Sequence, residues 1–267
     1  MQKSQLMGIL NVTPDSFYDG GRHFNPDLAI SHGLALIQEG ADILDIGGES
    51  TRPYANPVSS SEEIQRVIPV IKALSQQIPL SIDTQKWEVA EAALNQGVKW
   101  INDISGFDDP KMRALAGLST VNLCVMHMQG TPATMQKDHD YPQGIILFLK
   151  EWFARKVELL VKEGIDTSRI YLDPGIGFGK TVAHNLEILH NLPVLNTLGC
   201  HLLIGLSRKS FMMKILNKKA DELLPSTIAM NTIALQKGVD VIRVHDVAEH
   251  RAVIDMMTAF RESEPRR

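Results

Sequence analysis

Short apolar runs alternate with longer amphipathic stretches along the whole chain, and this pattern restricts the fold to a few classes. The apolar runs are rich in Ile, Val and Leu and lack strict polar–apolar alternation, as is typical of parallel strands covered on both faces. Eight runs have this character, at residues 5–10, 41–47, 80–83, 98–103, 120–126, 169–173, 201–206 and 239–245. They predict the strands of a parallel sheet.

The segments between these runs have the apolar spacing of amphipathic helices. We predict helices at 26–39, 61–76, 87–95, 111–118, 143–163, 184–192, 222–237 and 247–261. Several are followed by a glycine, a common signal at a helix C-terminus, namely Gly40, Gly97, Gly164 and Gly238. Eight strand–helix units in 267 residues predict an α/β fold, a (β/α)8 TIM barrel forming a single domain over 1–267. A doubly wound open sheet is the alternative.

Composition indicates which classes of partner and which cellular compartment to expect. The net charge is −4 and no Lys/Arg tract is present, which argues against nucleic acid as the main partner. The run at 145–149 is far too short to cross a membrane, and no signal peptide is readable. Cys124 and Cys200 lie in apolar segments, so we expect reduced, buried strand residues in a cytoplasmic protein.

Polar residues follow the apolar runs, at the strand ends where active sites of this fold lie. Asp83, Asn102 and Asp173 end the third, fourth and sixth runs, and we expect them to converge on one mouth of the barrel. Carboxylates and amides complement a flat heterocycle with donors and acceptors along one edge, such as an amino-pyrimidinone. Helix capping explains any one of them equally well, whereas three together favour a binding site.

A second group of residues predicts an anion site. Asn11 and Arg52 follow the first and second runs, and Arg243 and His245 lie at the end of the eighth. These three runs are neighbours in a closed barrel. Arginine with a second basic group suits a phosphate or diphosphate, and Asn11 offers a neutral oxygen to Mg²⁺. His245 alone would be interpreted as structural, but two positions beyond Arg243 it shares the same strand face. The nine histidines are scattered, which argues against zinc or iron catalysis.

Two long loops, 11–25 and 47–60, are candidates for lids, and they contain Phe17 and Arg52. The glycine-rich segment 173–180 does not have the P-loop spacing, so we reject binding of a nucleoside triphosphate. Its glycines would instead let backbone approach a flat ring, with Phe178 as a lid or stacking group.

Lys209 follows the seventh run, where a barrel lysine can form a Schiff base. Its polar neighbours favour a lysine that only donates hydrogen bonds. Ser210 is expected near a helix N-terminus, a suitable place for a substrate carboxylate.

With these motifs assembled, the chain closely resembles the dihydropteroate synthase family of pterin-binding enzymes. In one-letter code the matching motifs are GILNVTPDSFYDGG at 8–21, DIGGESTRP at 45–53, SIDT at 81–84, INDISG at 101–106, MHMQG at 126–130, LDPGIGFGK at 172–180, GLSRKSF at 205–211 and RVHDV at 243–247. They run in order through nearly the whole chain.

The resemblance implies a homodimeric, sulfonamide-targeted transferase that condenses 6-hydroxymethyl-7,8-dihydropterin diphosphate with 4-aminobenzoate to give 7,8-dihydropteroate and diphosphate. It implies a pterin site of Asp83, Asn102, Asp173 and Lys209, with Met126 and Gly205 also lining the substrate site. Asn11 would ligate Mg²⁺. Diphosphate would be held by Arg52, Arg243 and His245. The aminobenzoate pocket, formed only when both loops close, would comprise Thr51, Pro53, Phe17, Phe178 and Ser210.

No Ser, Cys or His nucleophile is evident, so we expect diphosphate to leave first and Asp83 to stabilise the remaining cation, with Lys209, Arg52, Arg243 and His245 as the other catalytic groups. One alternative is a pterin-binding methyltransferase acting on methyltetrahydrofolate, which would not need the Ser-Thr-Arg-Pro or Ser-Arg-Lys-Ser segments. Another is a non-catalytic pterin-binding protein. Two departures from the family are the short segment before the first strand, from which we expect a less covered barrel floor, and Tyr18 in place of a smaller residue.

Overall fold

The computed structural model of the chain describes residues 4–13, 18–19, 23–50, 56–135 and 139–263. Eight parallel strands close into a barrel in chain order, and the last pairs with the first through Gly8 and Val244. The strands are β1 Gln5–Asn11, β2 Ile43–Gly47, β3 Leu80–Asp83, β4 Trp100–Asp103, β5 Asn122–Met126, β6 Ile170–Asp173, β7 His201–Ile204 and β8 Val241–Val244. The predicted barrel is confirmed, and the open sheet was the wrong alternative.

Helices cover the outside of the barrel. They are α1 Pro26–Gln38, α2 Ser60–Leu74, α3 Trp87–Leu94, α4 Pro110–Gly117, α5 Ile145–Lys162, α6 Val182–His190, α7 Leu192–Asn196, α8 Ser210–Leu216, α9 Leu224–Gln236 and α10 Val247–Glu262. The sequence analysis found all except the short α7 and α8. It also missed the 3-10 turns Thr167–Arg169 and Ala220–Glu222 and a two-residue antiparallel pair, Tyr18–Asp19 with His23–Phe24.

The helix ends follow local chemistry. Ser59 caps α2 by accepting a hydrogen bond from the Glu62 N–H at 3.2 Å. The four glycines predicted after helices all have positive φ, from +82° to +98°. At Gly40 a Cβ would also approach the Arg251 side chain to 2.8 Å, so this position excludes larger residues twice over.

Two apolar layers build the core. The larger lies between the strands and the helices, and the smaller fills the lower part of the barrel interior, the floor. The floor consists of Met7, Ile43, Trp100, Cys124, Tyr171, Leu203 and Val241. Trp100 and Tyr171 pack with ring centroids 4.3 Å apart and are 3% and 7% exposed. The strands' own side chains therefore fill the floor, and a floor less covered than in the family stays a prediction.

The cysteine prediction is right for one residue and wrong for the other. Cys124 is buried in β5, whereas Cys200 is half-buried and precedes β7, because the turn at Gly199 delays the strand to His201. Both thiols are free. Within the described residues, no helix combines the length and apolar character that crossing a membrane requires.

Candidate active site

A polar layer lies directly above the apolar floor, at the carboxyl ends of the strands, and we call it the mouth. Side chains alternate along a strand, so the residue two positions beyond a floor residue also points inward. Asn102 follows Trp100 in this way, and Asp173 follows Tyr171. The mouth comprises Asp45 of β2, Asp83 of β3, Asn102 of β4, Asp173 of β6, Arg243 of β8 and Lys209 just before α8.

Hydrogen bonds across the barrel interior bring these residues together. The Arg243 guanidinium bonds Asp83 Oδ2 through Nη2 at 2.9 Å and Asp45 Oδ2 through Nε. Asn102 Nδ2 donates to the same Asp45 oxygen at 2.9 Å. Burial alone would lower the pKa of Arg243, but the two carboxylates raise it above its usual value. Arg243 is therefore a permanent cation fixed by two acids.

Asp45 was not among the predicted site residues. It is fully buried and connects Arg243 with Asn102. Its sequence signal was an acid inside the apolar run 41–47, two positions before Gly47 and hence on the same strand face. An unpaired carboxylate is expensive to bury, so an acid at such a position indicates a partner inside the barrel.

Three buried oxygens in the mouth have no hydrogen-bond partner among the described residues. They are Asp45 Oδ1, Asp83 Oδ1 and Asn102 Oδ1. A buried acceptor left unpaired costs about 1–3 kcal/mol, so the mouth favours a ligand that presents donors. Burial and the charge of Asp45 raise the pKa of Asp83 to about 7, while Arg243 opposes the shift.

Asp173 and Lys209 form the other side of the mouth. Asp173 Oδ1 accepts a hydrogen bond from the Gly175 N–H at 2.8 Å. Lys209 Nζ lies 4.2 Å from the centroid of the Phe178 ring, within cation–π range. Burial lowers the pKa of Lys209 to about 8, and Asp173 opposes this change. Ser210, the first residue of α8, is exposed at the rim.

His245 lies immediately beyond β8 and is oriented by Ser207, which the sequence analysis did not identify. The His245 N–H bonds Ser207 Oγ at 3.2 Å, and the same oxygen lies 2.9 Å from His245 Nδ1. Burial, with Arg243 and Arg208 nearby, lowers the pKa of His245 to about 4. When the Ser207 hydroxyl donates to Nδ1 of the neutral ring, Nε2 carries the ring hydrogen and can donate it to an anion.

Asn11, Met126 and Gly205 lie at strand ends as predicted. Asn11 ends β1, and a Cβ at Gly47 would lie 3.8 Å from Asn11 Oδ1 and 3.6 Å from Asp83 Oδ2. Met126 ends β5 beside Asp173, and Gly205 leaves open space next to Arg243. In the described part of the chain, no group of three or more His, Cys, Asp and Glu residues could hold a metal.

Four predicted site residues, Phe17, Thr51, Arg52 and Pro53, lie outside the described residues. The flanks of the second long loop are described, and both are anchored. Glu49 Oε1 accepts from the Val58 N–H at 2.7 Å, and Lys86 Nζ contacts Glu49 at 3.0 Å and the buried Glu63 at 2.6 Å. The base of this loop is therefore fixed to α2 and to the segment after β3.

A separate cavity of about 350 Å³ lies on the outer wall, between α5, α6 and α7. Its lining is mixed, with Leu147, Lys150, Glu187 and Val194 among the residues that form it. None of the mouth residues lines it. Three unpaired buried oxygens and the shifted pKa values of Asp83, Lys209 and Arg243 occur together in the mouth, which makes the mouth the candidate active site.

Comparison with known proteins identifies the family. The family described as "Pterin binding enzyme" matches residues 7–245. The dihydropteroate synthase of Synechocystis sp. is 45% identical over 250 residues, covering 92% of this chain and 86% of that protein. The Escherichia coli enzyme of the same name is 42% identical over 246 residues, covering 91% and 87%.

Solved structures give the same result. A Yersinia pestis dihydropteroate synthase with a sulfonamide drug complex has a TM-score of 0.91 at 41% identity, covering 98% of this chain and 95% of that one. A Xanthomonas albilineans dihydropteroate synthase with 4-aminobenzoic acid has a TM-score of 0.91 at 38% identity, covering 98% and 94%. The same enzyme with 7,8-dihydropteroate has a TM-score of 0.88 at 36% identity, covering 98% and 95%.

Proposed function

The chain belongs to the pterin-binding enzyme family and has the dihydropteroate synthase activity of folate biosynthesis, and on this premise we propose how its mouth performs the reaction. The substrates are 6-hydroxymethyl-7,8-dihydropterin diphosphate and 4-aminobenzoate, and the products are 7,8-dihydropteroate and diphosphate. The observation that carries the proposal is the set of unpaired buried acceptors beside a fixed arginine. A pterin supplies the donors that these acceptors need.

The pterin occupies the centre of the mouth. Its amino and ring N–H groups donate to Asp83, Asn102 and Asp173, while Lys209, on the same side of the mouth as Asp173, donates to the heterocycle. Met126 and Gly205 shape the wall of the pocket, one with a flexible apolar side chain and the other with open space. Asp83 is held by Arg243, so its carboxylate is already oriented before the substrate binds.

The diphosphate lies towards β1, β2 and β8. Arg243 and the Nε2–H of His245 bind its oxygens, together with Arg52 from the second long loop. Asn11 presents a half-buried neutral amide oxygen and no carboxylate cage surrounds it in the described chain, which fits Mg²⁺ held mainly by substrate oxygens and water. When bound, the ion neutralises charge that develops on the leaving diphosphate.

The reaction is dissociative. The bond between the methylene carbon and the diphosphate oxygen breaks, and its electron pair leaves with the diphosphate. The methylene cation is delocalised into the pterin ring and stabilised by the Asp83 carboxylate. The amine of 4-aminobenzoate then attacks the carbon, and its proton passes to the released diphosphate. Burial raises the pKa of the Cys124 thiol well above its usual value, so this nearby group is no competing nucleophile.

The aminobenzoate binds at the rim. Phe178 and Ser210 contribute from the described chain, and Phe17, Thr51 and Pro53 contribute from the long loops. The anchored base at Glu49 lets the second loop close on a fixed support. Closure excludes water, which would otherwise compete with the amine for the cation.

The protein acts as a cytoplasmic homodimer in this proposal. Two free cysteines are consistent with a reducing compartment. The late helix α10 exposes Met256 and Phe260 to 70% and 74%, which suits an interface with a second copy. Light scattering on purified protein would give twice the chain mass, whereas a monomer at all concentrations would contradict the dimer.

The direct test mixes purified protein, Mg²⁺, the pterin diphosphate and 4-aminobenzoate, and measures diphosphate and dihydropteroate together. Equal amounts of both products are expected. Diphosphate release that is independent of 4-aminobenzoate, without dihydropteroate, would contradict the proposal. Methyltetrahydrofolate with a corrinoid acceptor is the control for the methyltransferase alternative.

A second experiment tests the metal site. Chelation of Mg²⁺ should weaken diphosphate binding to wild-type protein, measured by calorimetry, but should not weaken binding to Asn11→Ala.

A further inference from the structure

Lys180 is a buried lysine at the end of the glycine-rich segment 173–180, and the mechanism above does not use it. Its side chain is 5% exposed, and it turns back under the segment rather than towards the mouth or the solvent. Lysine is rarely buried to this extent without several partners. The burial of Lys180 therefore needs an explanation, and the rejected P-loop spacing of the segment 173–180 does not provide one.

Four acceptors converge on Lys180 Nζ. They are the carbonyl oxygens of Phe178 at 2.9 Å, Gly175 at 3.0 Å and His127 at 3.2 Å, and His127 Nδ1 at 2.9 Å. Burial lowers the pKa of His127 well below its usual value, so its neutral ring can accept at Nδ1. These four acceptors offset part of the cost of burying the ammonium, which has three protons to donate.

His127 is itself held firmly. Its ring packs edge-on against Trp152 and Phe148, with centroids 4.9 Å and 5.5 Å away. Its backbone N–H donates to the Asp173 carbonyl at 3.0 Å. Lys180 therefore joins the glycine-rich segment to a rigid point just after β5 that also contacts Asp173.

Gly175 makes this close approach possible. Its φ is +64°, and a Cβ on it would lie 1.9 Å from the His127 carbonyl oxygen. Its N–H bonds the Asp173 carboxylate, and its carbonyl accepts from Lys180 and from the Phe178 N–H. The same short turn thus determines where the Asp173 carboxylate and the Phe178 ring lie.

We propose that Lys180 is a positioning residue for the pterin, whose ammonium fixes the 173–180 segment against His127 and keeps the Asp173 carboxylate ionised and in place. The pterin is a donor at this point, so an ionised Asp173 binds it better than a protonated one. This proposal rests on the role assigned to Asp173 above. In this role the glycine-rich segment positions the Asp173 carboxylate. It neither binds phosphate as a P-loop does nor serves only to let backbone approach a flat ring.

The charge balance around Asp173 supports the second part of this role. Burial raises the pKa of Asp173, and the Gly175 N–H lowers it together with Lys209, Arg243 and Lys180. The other titratable neighbour is the Cys124 thiol of β5, which stays neutral. Burial lowers the pKa of Lys180 to about 7, and the negative charge of the nearby Asp173 opposes this change. Removing the Lys180 charge should therefore raise the pKa of Asp173.

The experiment compares wild type, Lys180→Met and the control Lys214→Met, which removes an exposed lysine on α8. The Asp173 carboxyl carbon is titrated by ¹³C NMR without ligand and assigned with Asp173→Asn. In Lys180→Met we expect its midpoint to rise by about one pH unit. We also expect the Kd for 6-hydroxymethyl-7,8-dihydropterin to rise by about tenfold. The control should match wild type in both.

An unchanged Asp173 midpoint in a folded Lys180→Met protein would overturn the proposal, even if the affinity fell, because loss of packing alone would not move the titration. If Lys180→Met does not fold, Lys180→Arg is used in its place, because it keeps the positive charge. The Asp173 midpoint of Lys180→Arg should stay near the wild-type value, and a rise of about one pH unit in this variant would also overturn the proposal. Asp173→Asn separates the two claims. If it binds the pterin as tightly as wild type, the role of Asp173 fails, whereas weak binding by Asp173→Asn with no effect of Lys180→Met rejects only the present inference.

Discussion

The floor and the mouth of the barrel are built from the same strands, yet they have opposite chemistry. Trp100 and Tyr171 pack in the floor, while Asn102 and Asp173, two positions further along β4 and β6, lie in the mouth. On β8 the same step leads from an apolar residue to Arg243. Because alternate residues share the inner face, two residues of strand are enough to pass from packing to binding.

The difference shows how this barrel separates stability from activity. The floor is a tight apolar cluster. The mouth retains the unpaired buried oxygens of Asp45, Asp83 and Asn102, which lower stability until a ligand supplies donors. Substitutions in the floor should therefore affect mainly the free energy of unfolding, and those in the mouth should affect mainly catalysis.

The largest effect is expected for Trp100→Ala in the floor. Removing the indole should lower the free energy of unfolding by about 3–5 kcal/mol, because the cavity is enclosed by strands that cannot collapse. Urea denaturation measures the loss. The kcat of the folded protein should change much less, and Trp100→Phe should recover part of the stability. A large fall in kcat with unchanged stability would break the separation.

Asp83→Asn tests the mouth with a change of nearly equal volume. We expect kcat/KM to fall by about 10²–10³-fold, since the amide cannot stabilise the developing cation as the carboxylate does. The free energy of unfolding near neutral pH should not fall, because a buried acid beside Asp45 is removed. Steady-state assays and urea denaturation of the same preparation make the comparison. Full activity in this variant would contradict the assigned role.

The pH dependence of stability provides a second test of Asp83. Its pKa is raised to about 7 in the folded protein, so between its ordinary value and about 7 the folded state holds a proton that the unfolded state has lost. This contribution stabilises the protein at the acid end of the window and disappears as the pH rises through about 7. Asp103, raised to about 6, acts in the same direction. The urea midpoint of Asp83→Asn should therefore fall less with rising pH than that of wild type.

Asp45→Asn should have a smaller effect than Asp83→Asn. It weakens the support of Arg243 and Asn102 without removing a group assigned to the substrate. We expect KM for the pterin diphosphate to rise by about tenfold with a smaller change in kcat. A loss confined to kcat would show instead that Asp45 takes part in the chemical step.

Ser207→Ala should have the smallest effect. It removes one hydroxyl that orients His245 through Nδ1, a contribution of about 1 kcal/mol. KM for the pterin diphosphate should rise by about fivefold, corresponding to that energy. Affinity for a pterin that lacks the diphosphate should stay unchanged. Equal weakening of both ligands would place His245 at the heterocycle rather than at the diphosphate.

Local sequence patterns predicted most of the fold. The elements that the sequence analysis missed depend on tertiary contacts. Runs rich in Ile, Val and Leu identified all eight barrel strands, because buried parallel strands need apolar residues on both faces. The seven-residue α8 is too short for its periodicity to be recognised. Arg208, which precedes the helix cap, has a positive φ that no local signal indicates.

The site was predicted where residue type and strand end coincide, as for Asp83, Asn102 and Asp173. It was missed where the role depends on a distant partner. Asp45 has its role because it binds Arg243, which lies 198 positions further along the chain. Ser207 has its role because it contacts His245. The burial of Lys180 likewise depends on His127, on another strand end.

The most direct measurement is a crystal structure of the protein with 6-hydroxymethyl-7,8-dihydropterin bound. The account predicts that the ring lies in the mouth, with its N–H groups on the now unpaired oxygens of Asp83 and Asn102 and on Asp173, at about 2.7–3.2 Å. Lys209 should contact the ring from the same side of the mouth as Asp173. A pterin bound in the outer cavity between α5, α6 and α7, with the mouth oxygens still unpaired, would contradict it.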